Sequence, residues 1–462
     1  MAQGSRGLTW PVVAWSLWDW GSAAFNAVIT TFVFTVYLTS DDFGDGAASK
    51  LGWAIFLAGL VVVVTAPVSG QRADRSGRRT FWLAVNTGLV VLCALGMFFV
   101  RPSPDYLWLG LGLLAVGNVF FELAQVNYNA MLNQISTPQT VGRISGLGWG
   151  LGYIGGIVLL LAVYFGLINP EVGLFGITSE DGMDVRVSML VCAVWTALFS
   201  LPVILTLRDA PREASRDGNL GATGATEATG ATEARAGFVD SYRHLFGTIR
   251  DLWRDDRRTA RFLLASAVFR DGLAGVFTFG GVLAAGAFGF SAGDVIIFGV
   301  AANVVAGIAT IAFGVLDDSL GPKPVIVLSL GAMIVAGSCV FLLHDQGTLM
   351  FWVFGLVLCI FVGPAQSASR TFLARLIPEG EEGEIFGLYA TTGRVANVLS
   401  PAAWSLAITL GAAVTGVADQ DDAMHWGILG ILAVLGLGLA LLLPVRGGTR
   451  EDSALVAEVP AA

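Results

Sequence analysis

Twelve stretches of roughly 20 apolar residues constrain this chain more than any other feature, because a run of that length crosses the hydrocarbon core of a bilayer as a helix. They lie at about 10–38, 51–70, 81–100, 107–131, 144–168 and 187–207. After a polar gap they resume at about 262–285, 291–315, 323–343, 349–373, 385–414 and 425–444. The composition agrees: 55% of residues are hydrophobic and 13% charged, against about 25% charged in a soluble globular chain. The opening MAQGSRGLTWPVVAW offers no small-residue cleavage site at the usual place, so the first run reads as a span and not as a removable leader. The expected fold is an all-α membrane protein of twelve transmembrane helices in two six-helix bundles.

The positions of the charges orient the spans. Arg72, Arg75, Arg78 and Arg79 crowd the turn after the second span, and nine arginines between Arg208 and Arg258 mark the central gap. Arg446 and Arg450 follow the last span. The alternate loops, SDDFGDGAAS, NPEVGLFGITSEDGMD and ADQDDAM, are acidic. Positive residues stay on the cytoplasmic side, which puts both termini and the gap there, in a multi-pass protein of the plasma (inner) membrane. The division that follows is a six-helix bundle over 1–207, a linker over 208–260, a second bundle over 261–445 and a tail over 446–462. The linker joins a low-complexity GATGATEATGATEA stretch to an amphipathic segment, FVDSYRHLFGTIRDLW. That segment is expected as a helix on the inner leaflet or packed beneath the bundle.

Several functions drop out. A formal net charge of −9 and the lack of a basic tract argue against a nucleic-acid partner. Cys93, Cys192, Cys339 and Cys359 stand singly in apolar runs and read as buried hydrophobes. His244, His344 and His425 are scattered, so no metal site follows. No phosphate-binding Walker loop and no Ser/His/Asp set is present, so neither a cofactor nor an enzyme is expected. Trp10, Trp53, Trp108 and Trp352 read as interfacial anchors.

The chain also repeats itself. In GQRADRSGRRT and GVLDDSLGPKP, Gly70 matches Gly314, Asp74 matches Asp318, Gly77 matches Gly321 and Arg79 matches Lys323. AQVNYNAMLNQISTPQTVGRISG, from Ala124, aligns without gaps to AQSASRTFLARLIPEGEEGEIFG, from Ala365. Both pairs occupy equivalent turns of their halves, so the chain is a duplicated six-span unit with both units in one orientation. The glycines let these turns bend and let helices approach. Asp74 can accept from backbone N–H groups of a neighbouring helix and from an arginine. Arg75, Arg78 and Arg79 are suited to the opposite half or to anionic lipid headgroups. Such a contact on one face only would act as a latch.

GQRADRSGRR resembles the signature loop of the major facilitator superfamily, G-x-L-A-D-R-x-G-R-K/R, with Arg72 standing where leucine is usual. Within it, SLWDWGSAAFNAVITTFVF, NYNAMLNQI, VGRISGLGWGLGYIGG and FRDGLAG resemble the Atg22-like, or UMF1-type, branch. The resemblance implies the superfamily's six-plus-six arrangement with a cytoplasmic linker between the halves, and the protein is expected to be a monomer that works by alternating access. Its fungal members are similar to vacuolar amino-acid exporters, which makes amino-acid-like efflux an expectation here.

Polar residues inside the spans are expensive and therefore informative. Asp19 and Asn26 share a face of the first span, as a proton or cation site or as a structural ion pair. Asn118, Glu122, Gln125 and Asn129 recur at steps of four, three and four on the fourth span and form one stripe. The stripe should line water or pack against other polar groups. Glu122 is the leading proton carrier, because a carboxylate withdrawn from water takes up a proton more readily. Arg270 and Asp271 open the seventh span; Arg270 is within plausible reach of Asp19 or an anionic solute group, and Asp271 of Arg394. Gln366 adds a second, weaker polar face on the tenth span, with Arg370 placed at its edge to snorkel. Gly146, Gly148, Gly150, Gly152, Gly155 and Gly156 leave the fifth span nearly smooth and suited to close packing and sliding.

These residues are expected to build a secondary transporter for a small polar solute coupled to protons. Its central site would be lined by spans one, four, seven and ten. Glu122 or Asp19 would carry the proton, Asn26, Gln125, Asn129 and Gln366 would bond the solute, and Arg270 and Arg394 would hold a carboxylate. An uncoupled facilitator, or a non-transporting sensor built around 208–260, are the alternatives.

Overall fold

The computed structural model describes residues 8–207, 256–378, 380–416 and 421–446, with isolated residues between 209 and 254. Twelve helices in it are long and apolar enough to cross a membrane: α1 (Trp10–Leu38), α2 (Ala47–Ser76), α3 (Arg79–Met97), α4 (Pro104–Ile135), α5 (Val141–Ile168) and α6 (Glu180–Thr206) in one half, and α7 (Arg257–Phe288), α8 (Gly293–Leu320), α9 (Pro322–Leu342), α10 (Thr348–Leu376), α11 (Glu382–Thr415) and α12 (Ala423–Leu442) in the other. Every apolar run of the sequence is one of these helices. Helix is enforced because no water in the bilayer core can satisfy a free N–H or C=O. Large apolar side chains such as Leu57, Val61 and Val64 are about half exposed on α2, as lipid contact requires. The chain is a multi-pass membrane protein.

The halves meet chiefly along two helix pairs, α5 with α8 and α2 with α11, with smaller contacts of α4 with α11 and α5 with α10. Under the internal repeat α2 corresponds to α8 and α5 to α11, so the two pairs are one contact made twice about a pseudo-two-fold axis. Both depend on glycine. A Cβ on Gly146 would lie 2.6 Å from the Thr310 carbonyl oxygen, and one on Gly150 would lie 2.6 Å from that of Gly307. On the second pair, a Cβ on Gly387 would lie 2.5 Å from the Pro67 Cα. The glycines of α5 do not form one smooth face. Gly146 and Gly150 face α8 across the half boundary, whereas Gly148 and Gly155 face Trp15 and Trp20 of α1 in the same half.

Burial is uneven across the membrane. The terminal face is the one at which α1 starts and α12 ends. On that side, Val12, Trp15, Val62, Leu83 and Tyr128 of the first half belong to one continuous core with the second half. Towards the opposite face the first half closes on a separate core of its own, built around Phe25, Phe34, Leu38 and Met97. The halves are therefore fused at the terminal face and stand apart beyond it.

Two helices on the internal cleft are interrupted. Residues Phe25–Phe32 of α1 form a π-helical stretch, in which the hydroxyls of Thr30 and Thr31 donate to the Asn26 carbonyl at 2.9 and 2.8 Å. Such bulges gather at functional sites. α11 breaks between Ala396 and Leu399. The amphipathic segment expected at 238–253 lies mostly outside the described residues; Ile249 and Leu252 pack against the main core and Trp253 is 52% exposed.

Candidate functional site

A cavity of about 480 Å³ lies between the halves. Its walls come from α1 (Asp19, Asn26), α4 (Phe121, Gln125), α7 (Phe277, Thr278) and α10 (Gln366), the four spans the sequence points to. α5 adds Trp149 and Tyr153, and α8 adds Asn303. Along α1 the lining climbs from Asp19 to Phe32, away from the terminal face.

The base is a buried polar knot. Asp19 accepts from the Tyr128 hydroxyl at 2.8 Å and pairs with Arg370 at 3.6 Å. Arg370 is 1% exposed. It donates to the Ser145 carbonyl at 2.7 Å, to the Ser145 hydroxyl at 2.9 Å and to Asn129 Oδ1 at 3.2 Å, while the rings of Trp15, Tyr128 and Trp149 surround its guanidinium. A second knot lies on the neighbouring boundary, where Arg394 of α11 pairs with Glu122 and donates to Asn118 Oδ1 at 3.3 Å. In both knots a carboxylate of the first half holds an arginine of the second, so each stitches the halves together.

Beyond the base the terminal face is shut twice. Asp74 accepts the Glu384 N–H at 2.9 Å and pairs with Arg79 at 2.7 Å, and Arg79 reaches Glu382 at 2.6 Å. At the symmetry-related position Asp318 accepts the N–H groups of Gly142 and Arg143 at 2.7 and 3.2 Å. Both aspartates thus take N–H groups at the first turn of a helix in the other half, where the helix dipole favours a negative charge. Gly77 closes α2 with φ of +62°, which is why this position excludes a Cβ. Gly321 also ends α8 at positive φ, +86°, but with ψ of 163°, so the two caps differ in conformation. The match of Arg79 with Lys323 is one of sequence only: Arg79 crosses to the other half, whereas Lys323 donates to the Leu443 carbonyl within its own half at 2.7 Å. Arg78 is exposed.

Of the residues singled out in the sequence, Asp19, Asn26, Gln125 and Gln366 line the cavity. Asn118, Glu122 and Asn129 face the other half through Arg394 and Arg370, so the whole α4 stripe is turned inward. Three suggested contacts differ. Arg270 does not reach Asp19; it donates to the Tyr389 carbonyl at 3.0 Å and lies 3.7 Å over that ring. Asp271 does not reach Arg394; it accepts the Ser400 N–H at 2.6 Å, a group left free by the break in α11. Arg370 does not snorkel, because Asp19 and Ser145 supply its partners in the interior. His344 and His425 are far apart in sequence yet stack ring on ring at 3.9 Å.

Tyr128, Ser145, Glu382, Glu384 and Arg375 escaped the sequence reading. Tyr128 and Ser145 carry no charge and lie within the repeated strings, whose polar content gave no reason to prefer them. Arg375 pairs with Asp317 at 3.1 Å, beside the matched aspartate Asp318.

Comparison with known proteins agrees with this geometry. The family described as vacuole effluxer Atg22 like matches residues 53–453. An uncharacterised transporter of the major facilitator type from Bacillus subtilis, YxiO, is 24% identical over 443 residues, covering 94% of this chain and 95% of its own. Autophagy-related protein 22-1 of Aspergillus fumigatus is 27% identical over 335 residues, 69% of this chain and 50% of the fungal one; the chain spans about half the length of its fungal relatives. Among solved structures, the proton:xylose symporter XylE superposes with a TM-score of 0.70 at 13% identity, over 97% of this chain and 98% of that one. A bacterial homologue of the iron transporter ferroportin, in an outward-facing state, gives 0.64 at 14% identity, over 94% and 98%. These two show that the fold is that of the major facilitator superfamily.

Proposed function

Because the chain belongs to the Atg22-like vacuole effluxer family of the major facilitator superfamily, we propose that it is a secondary transporter that carries a small polar solute by alternating access, driven by protons. The observation that carries this reading is a polar cavity between two symmetry-related halves, sealed at one face by contacts that nothing covalent makes permanent. The sealed face is the cytoplasmic one, following the arginines of the 2–3 turn and central gap. The conformation described is then outward-facing, and the protein works as a monomer in the plasma membrane.

Asp19 and Glu122 are the proton carriers in this reading, and the arrangement gives them a way to couple. Asp19 stands at the cavity base and neutralises an arginine that bridges α1, α4, α5 and α10. Protonation from the cavity cancels that attraction and leaves Arg370 with a surplus charge in a dry site, a cost of about 3–5 kcal/mol. Opening the terminal face hydrates Arg370 and relieves the cost. Glu122 and Arg394 form a second, more open pair of this kind on the α4–α11 boundary, each side chain 22% exposed. Solute held by Asn26, Gln125 and Gln366 then moves with the proton or against it.

Purified protein in proteoliposomes tests this. An imposed pH gradient should drive concentrative solute movement, E122Q should reduce the driven component at least tenfold, and solute exchange without a gradient should persist. Exchange that ignores the gradient in the wild-type protein would leave an uncoupled facilitator as the correct reading.

A further inference from the structure

We infer that the cavity takes a neutral, hydroxyl-rich solute, such as a sugar or cyclic polyol, and neither a zwitterion nor an anion. The inference rests on the transport reading above and deepens it. The only charged side chain lining the cavity among the described residues is Asp19, and its charge is already matched by Arg370. None of the arginines that a carboxylate would need lines the cavity. Arg370 turns its donors to Ser145, Asn129 and Asp19, Arg394 turns one nitrogen to Glu122 and Asn118 on the neighbouring boundary, and Arg270 lies against the Tyr389 carbonyl and ring. A solute carboxylate entering this space would lose its water and find no cation, a penalty of several kcal/mol. An ammonium would find a carboxylate that already has a partner.

What the walls do present is a ring of primary amides. Asn26 on α1 and Gln125 on α4 face the cavity with no side-chain hydrogen bond of their own among the described residues. Gln366 on α10 has only its oxygen engaged, by the Tyr153 hydroxyl at 3.5 Å, and its amide nitrogen is open. Asn303 on α8 spends its nitrogen on the Gly299 carbonyl at 2.8 Å and keeps its oxygen. An amide offers two donors and an acceptor, a hydroxyl one donor and two lone pairs, so each complements the other in either direction. Carboxylates and ammonium groups use one sense only. The π-helical stretch of α1 agrees with the pattern, since Thr30 and Thr31 turn their hydroxyls back to the Asn26 backbone carbonyl and not to its side-chain amide.

Between the amides stand aromatic faces. Phe277 stacks on Tyr153 with ring centroids 5.9 Å apart, and Phe121 and Trp149 complete the apolar surface. Flat apolar rings beside convergent amides fit a molecule with a C–H face and a rim of hydroxyls. The volume lies within the range of small-molecule pockets.

The experiment is counterflow in proteoliposomes of the full-length protein, with melting in detergent measured alongside. D-glucose, D-xylose and myo-inositol form one probe set; alanine, glutamate, arginine and lactate form the other. The neutral set should show saturable counterflow with at least one member and raise the melting temperature, while the charged set should neither exchange nor compete. Gln125→Leu and Gln366→Leu keep the side-chain volume and remove its hydrogen bonds, so each should raise KM roughly tenfold at an unchanged melting temperature. Counterflow of an amino acid or lactate with none of the neutral set overturns the inference and leaves the transport reading standing. No counterflow of any probe overturns both. Neutral-solute KM values unaffected by the two leucine variants overturn the assignment to this cavity.

Discussion

Asp19 shows how much one side chain can hold. Its carboxylate is the only charge matched to a guanidinium that is itself 1% exposed, and it also accepts the Tyr128 hydroxyl. The two contacts are expected to differ in weight. Asp19→Asn keeps an oxygen for Tyr128 but strands the charge of Arg370, which costs about 3 kcal/mol or more. Tyr128→Phe removes one neutral donor and should cost about 1 kcal/mol. Thermal melting of the two variants in detergent checks the order, with the asparagine variant melting well below the phenylalanine one. Asp19 stood out in the sequence as a charge in an apolar run. Its partner Arg370 is equally visible as a charge, but its sequence distance from the end of the tenth span fits the helix edge as well as the interior, and only packing against Asp19 decides between them.

At the scale of helices, the two half-to-half pairs are held by small residues and broken by size. A Cβ on Gly70 would fall 1.9 Å from the Gly383 carbonyl oxygen, and one on Gly383 would fall 2.5 Å from that of Gly70. Both obstacles are backbone, so neither can swing aside. Gly70→Ala is therefore expected to stop the terminal face from closing and to leave the protein open on that side. The check is a cysteine placed at Ser145, which is fully buried: in the Gly70→Ala background a membrane-impermeant thiol reagent added from the terminal face should label it, and in the parent it should not. Arg79→Gln acts on the same closure through charge, because Asp74 and Glu382 then face each other with no cation between them. It should give labelling of the same kind. The repeat identified Gly70, Asp74, Gly314 and Asp318 as a pair of equivalent devices. That each reaches the other half, and reaches the first turn of a specific helix, is a fact of packing.

For the whole molecule, fusion of the two cores at the terminal face and their separation beyond it mean that the terminal face has to open, and the far ends of the halves have to come together, for the cavity to change sides. Spin labels at Ser76 and Pro378, which flank the α2–α11 contact at exposed positions, are expected at short range in the conformation described. Saturating solute under a proton gradient should add a longer distance population. Invariance of that distance under every condition would count against rocking halves. The assigned orientation is checked separately: an epitope added before Trp10 and another after Val445 should both be reached from the cytoplasmic side only.

The sequence alone determined the membrane environment, the twelve helices and the two-fold repeat. These follow from the solvation of backbone and side chains, which each segment faces locally whatever its neighbours do. It also marked the α4 stripe, since a row of polar groups at helical spacing must turn from lipid. Only the tertiary structure decided which charge meets which. Glu122 with Arg394, Asp19 with Arg370, and Asp271 with the free N–H of Ser400 join residues more than a hundred positions apart. Polarity says that a buried charge needs a partner; the crossing of helices from two halves chooses it. With Arg370 and Arg394 paired to carboxylates and Arg270 laid against Tyr389, that choice also left the cavity walled by amides and aromatic rings.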